Sequence, residues 1–168
     1  MVARNRPGAR ASHAATAALA MLDAAGVAYT ALPYQHDPRA ESFGLEAAHA
    51  LGKDPACVFK TIMVVHDKNW ATVMVPVSST VDLKAAAREL GWKKASLAAP
   101  SAAQTRTGYV VGGISPLGQK TPSPTLLDES ARNRPTVLVS GGRRGLDVEL
   151  SPEDLLRLTD GRYAPLAA

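Results

Sequence analysis

The sequence predicts a single α/β domain built on a mixed, mainly antiparallel sheet. Two patterns carry that prediction. Segments with apolar residues at helical spacing alternate with β-branched runs along the chain. Several connections between the β-rich runs are only a few residues long, which suits antiparallel neighbours, because a parallel pair needs a long crossover. A length of 168 residues fits one such domain.

The elements follow in order. Residues 1–11, with Arg4, Arg6, Pro7, Gly8 and Arg10 and no periodicity, predict a disordered basic tail, so that the folded domain spans 12–168. Ser12 is placed to cap a helix carrying Ala15, Leu19, Leu22 and Ala25, closed by Gly26, and a strand is expected over 27–32. A polar stretch over 34–42 leads to a helix with Leu45, Ala48 and Leu51 on one face, ending at Gly52 before an Asp54-Pro55 turn. The β-rich runs 58–65 and 71–77, separated by polar residues, read as an antiparallel hairpin at the centre of the sheet. A helix over 82–90 stops at Gly91, and 100–107 adds another turn or two of helix. Strands are then expected over 108–111, 125–127, 136–139 and 146–150. A last helix opens with Ser151 as cap, Pro152 at the first turn, and the early acids Glu153 and Asp154.

Composition removes several classes of function. Hydrophobic residues make up 46% of the chain and charged residues 20%, and no apolar run approaches the ~18 residues of a membrane span. The basic start is not followed by an unbroken apolar segment, since His13 and Thr16 interrupt the alanines, so a soluble cytoplasmic protein is expected. The single Cys57 allows no internal disulfide and no cysteine-rich zinc site. The four histidines, His13, His36, His49 and His66, show no ligand spacing, and neither dinucleotide-binding nor P-loop glycine patterns occur; no metal and no cofactor are expected. A net charge of +4 with a pI near 9.4 permits a polyanionic partner.

Two glycine-rich segments stand out. The first, Gly112-Gly113-Ile114-Ser115-Pro116-Leu117-Gly118, reads either as a tight bend or as a nest of backbone N–H donors around an anion or carbonyl oxygen. The second, Ser140-Gly141-Gly142-Arg143-Arg144-Gly145, reads either as a hairpin turn or as part of the same site. Lys60 lies inside a β run, where it either snorkels from an edge strand or holds its ammonium in a cleft. Asp147 points away from its apolar neighbours Leu146 and Val148, toward water or a polar cavity. Cys57 is either a small buried hydrophobe or a nucleophile, with no local signature for the second role. Tyr34, beside a turn at Asp37-Pro38, is placed to line a pocket mouth.

Four ordered segments, Tyr34-Gln35-His36-Asp37-Pro38, Phe59-Lys60-Thr61, 107–120 and 140–150, together resemble the YbaK family of aminoacyl-tRNA deacylases across most of the chain. The Gly113-Ile114-Ser115-Pro116 loop looks closest to the Cys-tRNA(Pro) deacylase branch, and the family is similar to the editing domain inserted in bacterial prolyl-tRNA synthetases. The resemblance implies a strongly curved sheet surrounded by helices and a trans-editing enzyme that clears cysteine from tRNA(Pro). In that branch the substrate's own thiol attacks its ester carbonyl, so the protein needs no nucleophile. By the same resemblance, Lys60 with Thr61 beside it orients the substrate or terminal adenosine, and Gly113, or its neighbour Gly112, offers an N–H to the carbonyl oxygen. Ser140 and Asp147 line the pocket and hold the ammonium or ribose, Tyr34 and Phe43 form walls, and Ile114 and Ser115 complete the substrate-binding loop. Gln35 departs from the acidic residue expected at its position. The implied partners are the 3′ end of an aminoacylated tRNA and prolyl-tRNA synthetase. Oligomeric state is not fixed by the sequence. A deacylase for another small amino acid such as alanine, or a noncatalytic tRNA- or synthetase-binding module, are the alternatives.

Overall fold

A computed structural model describes residues 15–168. The expected tail over 1–11 and the expected cap Ser12 lie outside the described residues, and the first helix is capped by Thr16 instead, so that Ala15 falls before it. The helices are α1 (Ala17–Ala25), α2 (Phe43–Leu51), α3 (Leu83–Leu90), α4 (Pro100–Thr107) and α5 (Pro152–Thr159). The strands are β1 (Thr30–Pro33), β2 (Phe59–His66), β3 (Asn69–Pro76), β4 (Ser96–Leu97), β5 (Thr125–Asp128), β6 (Val137–Arg143), β7 (Leu146–Leu150) and β8 (Arg162–Ala164).

Local chemistry starts and stops the helices. Thr16, Ser42, Asp82 and Ser151 each accept a hydrogen bond from a first-turn N–H through the side chain. The Thr16 hydroxyl also donates to the Gly141 carbonyl at 2.6 Å, which ties α1 to β6. Each helix ends on a left-handed residue: Gly26, Gly52, Gly91, Gly108 or Asp160.

The strands form two sheets, ordered β1-β7-β6 and β4-β2-β3-β5-β8. Four pairings are antiparallel and two, β3 with β5 and β5 with β8, are parallel, so the sheet is mixed as expected. The β2–β3 hairpin turns through Asp67 and Lys68, with Asp67 at φ 55. An isolated parallel bridge between Val58 and Leu138 joins the two sheets. The largest apolar cluster packs α1 and α5 against both sheets and includes Leu22, Met74, Leu117, Leu127, Leu146 and Leu155, all essentially excluded from water. Each such side chain contributes about 1.5–3 kcal/mol through burial.

Three local expectations need correction. The first strand begins at Thr30 and runs to Pro33 instead of covering 27–32. The 108–111 segment is not a strand, despite its Tyr109-Val110-Val111 run. Gly108 caps α4 at φ 82, the Tyr109 and Val111 amides bond to Thr107 Oγ1 and Gln104 Oε1, and Gly113 N–H closes a turn onto Val110 O. The amides of Gly108, Tyr109 and Val111 are therefore spent locally, which leaves no continuous run for a ladder. Nor are Gly141 and Gly142 the hairpin turn. They form an irregularity within β6, between the pairs Ser140–Asp147 and Arg143–Leu146, while Arg144 and Gly145 make the turn.

Candidate active site

At the start of β2, beside the Val58–Leu138 bridge that joins the two sheets, lies an open cavity of about 340 Å³. Its walls come from Tyr34, the first turn of α2, Val58 with the β2 residues 59–62, the loop residues Val111, Gly112 and Ile114, and the paired residues Ser140 and Asp147. Of the expected site residues, this brings together Lys60, Thr61, Tyr34, Phe43, Gly112, Ile114, Ser140 and Asp147.

Lys60 is placed by register. It pairs with Val75 across the hairpin, but β4 covers β2 only at Val64 and Val65, so the Lys60 segment lacks a β4 neighbour. Its ammonium is half-buried, burial holds its pKa below the usual lysine range, and no carboxylate forms an ion pair with it among the described residues. A cation that is partly desolvated and uncompensated is ready for an anionic or carbonyl oxygen. Beside it the Thr61 hydroxyl is buried without a hydrogen-bond partner.

Asp147 occupies the opposite side. It faces Ser140 across the β6–β7 pair and Leu32 across the β1–β7 pair, which buries it to 6% exposure. Burial raises its pKa from 3.8 to about 7. Among the described residues no hydrogen bond or ion pair satisfies this carboxyl, and it faces the cavity, not open water. Tyr34 closes the same wall. Its phenol is pushed up to about 12, first by burial and then by the nearby Asp147 charge. Ser140 Oγ accepts from Gly142 N at 3.1 Å, so it shapes the β6 irregularity as well as lining the cavity.

The third wall is a stack. An added Cβ on Gly112 would lie 2.9 Å from the Phe43 ring, and Gly112 holds φ 89, so only glycine lets the loop pass beneath the ring. Arg144 packs on Phe43 at 4.9 Å from the ring centroid and donates from Nε to Val111 O at 2.8 Å. His36, 5.8 Å from the same ring, is bonded to Glu46 at 2.8 Å, and Glu46 also accepts from the Asp37 amide. The Gly112 N–H is without a hydrogen-bond partner among the described residues.

Two expected residues stand back from the cavity. Gly113 N–H is committed to Val110 O at 2.8 Å, and an added Cβ would meet the Arg143 backbone at 2.8 Å, so its absence of a side chain serves packing. Of the two neighbouring amides offered for a carbonyl oxygen, the free one is Gly112. Ser115 is fully buried, with Oγ accepting from Leu117 N and its carbonyl accepting from Gln119 Nε2. It braces the loop from behind. Cys57 is also away from the cavity, with Sγ 2.8 Å from Arg134 Nη1.

Sequence reasoning missed Glu41, Ser42, Gly44, Ala47, Val58, Phe59, Ile62 and Val111 in the lining. The one available signal was Ser42 as a cap three residues before Leu45, which predicts a helix start whose first amides lack internal partners. Among the described residues no group of three His, Cys, Asp or Glu side chains gathers, and no helix is long and apolar enough to cross a membrane.

With this geometry in hand, the relatives are informative. Residues 38–158 match the model of the aminoacyl-tRNA editing domain. The chain belongs to that family. A candidate Cys-tRNA(Pro)/Cys-tRNA(Cys) deacylase, EbsC of Enterococcus faecalis, is 38% identical over 120 residues, covering 71% of this chain and 73% of that one. A solved candidate trans-editing enzyme for prolyl tRNA synthetase is 27% identical with a TM-score of 0.78, covering 92% of this chain and 99% of its own. A hypothetical protein superposes with a TM-score of 0.81 at 25% identity, covering 90% and 99%. The editing-domain fold is therefore shared along nearly the whole described chain. Its activity class is aminoacyl-tRNA deacylation.

Proposed function

We propose that the protein is a trans-editing deacylase that clears cysteine mischarged onto tRNA(Pro), with the substrate thiol as the attacking group. The observation that carries this reading is the cavity's chemistry: an unpaired ammonium, an unpaired carboxyl and a free amide surround a space of about 340 Å³ whose described lining holds neither cysteine nor histidine. Ser140 is the hydroxyl nearest to a nucleophile's role, and it accepts from Gly142 N with no imidazole in the lining to take its proton.

The residues then divide the task. The Asp147 carboxylate attracts the substrate ammonium, and Lys60 with Thr61 holds the ribose-phosphate side of the ester. Gly112 N–H stabilises charge building on the ester carbonyl oxygen. In the reaction the cysteine sulfur bonds to the carbonyl carbon, the carbon–oxygen ester bond breaks, and the thiol proton passes to the departing 3′-hydroxyl. A cyclic thiolactone leaves. Confinement supplies the orientation on which such an intramolecular attack depends. The small cavity also suits the task of separating cysteine from proline, since a pocket alone discriminates weakly between small side chains and the thiol adds a chemical filter.

The deciding experiment compares Cys-tRNA(Pro), Pro-tRNA(Pro) and 2-aminobutyryl-tRNA(Pro), in which a methyl group replaces the thiol. Cysteine is expected to be released and the other two spared. Equal turnover of the methyl analogue would replace thiol attack by water attack, and preferential release of alanine would reassign the substrate. Lys60→Ala is expected to lower deacylation by at least about 100-fold while the protein stays folded, from loss of a charge-stabilising contact of the usual size.

A further inference from the structure

A second concave surface lies away from the cavity, between α3 and the segment leading into β4. It is a groove of about 700 Å³ bordered by Lys84, Arg88, Lys93 and Lys94, with Trp92, Leu83 and Ala87 forming its apolar side. All four cations are exposed, and among the described residues none forms an ion pair. The neighbouring acids are otherwise engaged: Asp82 caps α3 and Glu89 pairs with Arg162. Four uncompensated cations beside an aromatic form an electropositive surface of the kind that tracks a nucleic-acid backbone.

Its position relative to the cavity is set by one strand. Lys60, at the start of β2, lines the cavity, while His66, at its end, lies 6.2 Å from the Trp92 ring. Six residues of strand span about 20 Å. That is the length of about six nucleotides of a stacked strand at ~3.4 Å each. An RNA whose last nucleotide enters the cavity would thus bring the backbone of its adjoining stem to this groove.

We infer that the α3 groove is an RNA-backbone site that grips the stem of the tRNA whose 3′ end occupies the cavity. The inference rests on the proposed tRNA substrate and adds the surface that holds it. The four cations neutralise phosphates, and Trp92 provides an apolar face for a ribose or an unstacked base. Contacts of this type carry no sequence information, so the groove raises affinity for tRNA in general and leaves the choice of amino acid to the cavity.

The test uses the full chain with Lys84→Gln, Arg88→Gln, Lys93→Gln and Lys94→Gln combined, read by binding of uncharged tRNA across a salt series. The logarithmic salt slope is expected to fall by about 3, since each phosphate contact contributes about 0.7–0.9. KM for the aminoacylated tRNA should rise at least about tenfold, while turnover of 3′-cysteinyl-adenosine, which has no stem, stays within twofold. An unchanged salt slope and tRNA affinity would overturn the inference and leave the surface to a protein partner. Equal loss with tRNA and cysteinyl-adenosine would also overturn it, by showing damage to the cavity. The two readings separate cleanly: absence of cysteine release by the unsubstituted protein bears on the function, and tRNA binding by the quadruple variant bears on the groove.

Discussion

The two glycine pairs, Gly112-Gly113 and Gly141-Gly142, are alike in sequence and differ in what their missing side chains make room for. Gly112 lies under the Phe43 ring and borders the cavity, whereas Gly113, one residue on, packs against the Arg143 backbone. In the second pair, Gly141 accommodates Leu146, and Gly142, at φ 106, accommodates Thr16 and the Tyr109 ring. Three of the four glycines therefore join elements of the core, and one shapes the site. The first pair also touches the second, because the Gly113 contact is with Arg143, just beyond Gly142. A glycine-rich motif thus reads as one functional object in sequence but acts as one recognition residue held by three packing residues.

The largest expected effect tests the link from the second segment to the site, which runs from Ser140 to the facing Asp147. A carboxyl whose pKa rises from 3.8 to about 7 on folding binds protons more tightly in the folded state. Its contribution is therefore most favourable at low pH and is lost as pH rises through about 7, by about 4 kcal/mol in all. The stability difference between the native protein and Asp147→Asn, followed by denaturant titration from pH 4 to pH 8, should shift by that order in favour of Asn; a flat difference would mean the carboxyl is solvated. Next, Gly113→Ala is expected to cost about 3 kcal/mol, at the upper range for overpacking, because its obstacle is backbone that cannot rotate away. Thermal unfolding measures this. Gly112→Ala should cost less, about 1–2 kcal/mol for a forced positive φ, yet reduce deacylation more than its stability loss explains. The smallest effect on activity belongs to Gly141→Ala, whose closest obstacle is Cγ of the fully buried Leu146: about 1–3 kcal/mol of stability through overpacking, with deacylation within twofold. If Gly141→Ala instead abolished activity while folded, the division between recognition and packing would fail.

The parts of the fold legible in sequence were those written in local chemistry. The 82–90 helix has Asp82 and Gly91 as start and stop, and Ser151-Pro152 opens α5, and both appear where those residues put them. The 108–111 expectation failed because β-branched residues favour a strand only when their amides are free, and Gln104 and Thr107 take two of them. The short β4 and β8 carry no periodic signal over two or three residues. Lys60 and Asp147 were legible as charges within apolar strands, and the family resemblance brought them into one site. Ala47, Val58 and Ile62 were not, because an apolar residue on a cavity wall looks like any other core residue until the opposite wall is known.

The Val58–Leu138 bridge has a consequence for selectivity. Among the described residues it is the one β-bridge joining the two sheets, and Val58 also forms part of the cavity wall. Strands within a ladder are pinned at a spacing of about 4.8 Å. Across this seam, Ala48, Val58, Val77 and Leu138 pack together beside the larger cluster that also spans both sheets. Adding or removing one methyl group there would change the bore of the cavity while leaving both ladders intact. On the proposed deacylase reading, a single-carbon change at this seam is expected to shift amino-acid preference, measured by comparing turnover of cysteinyl- and alanyl-tRNA(Pro).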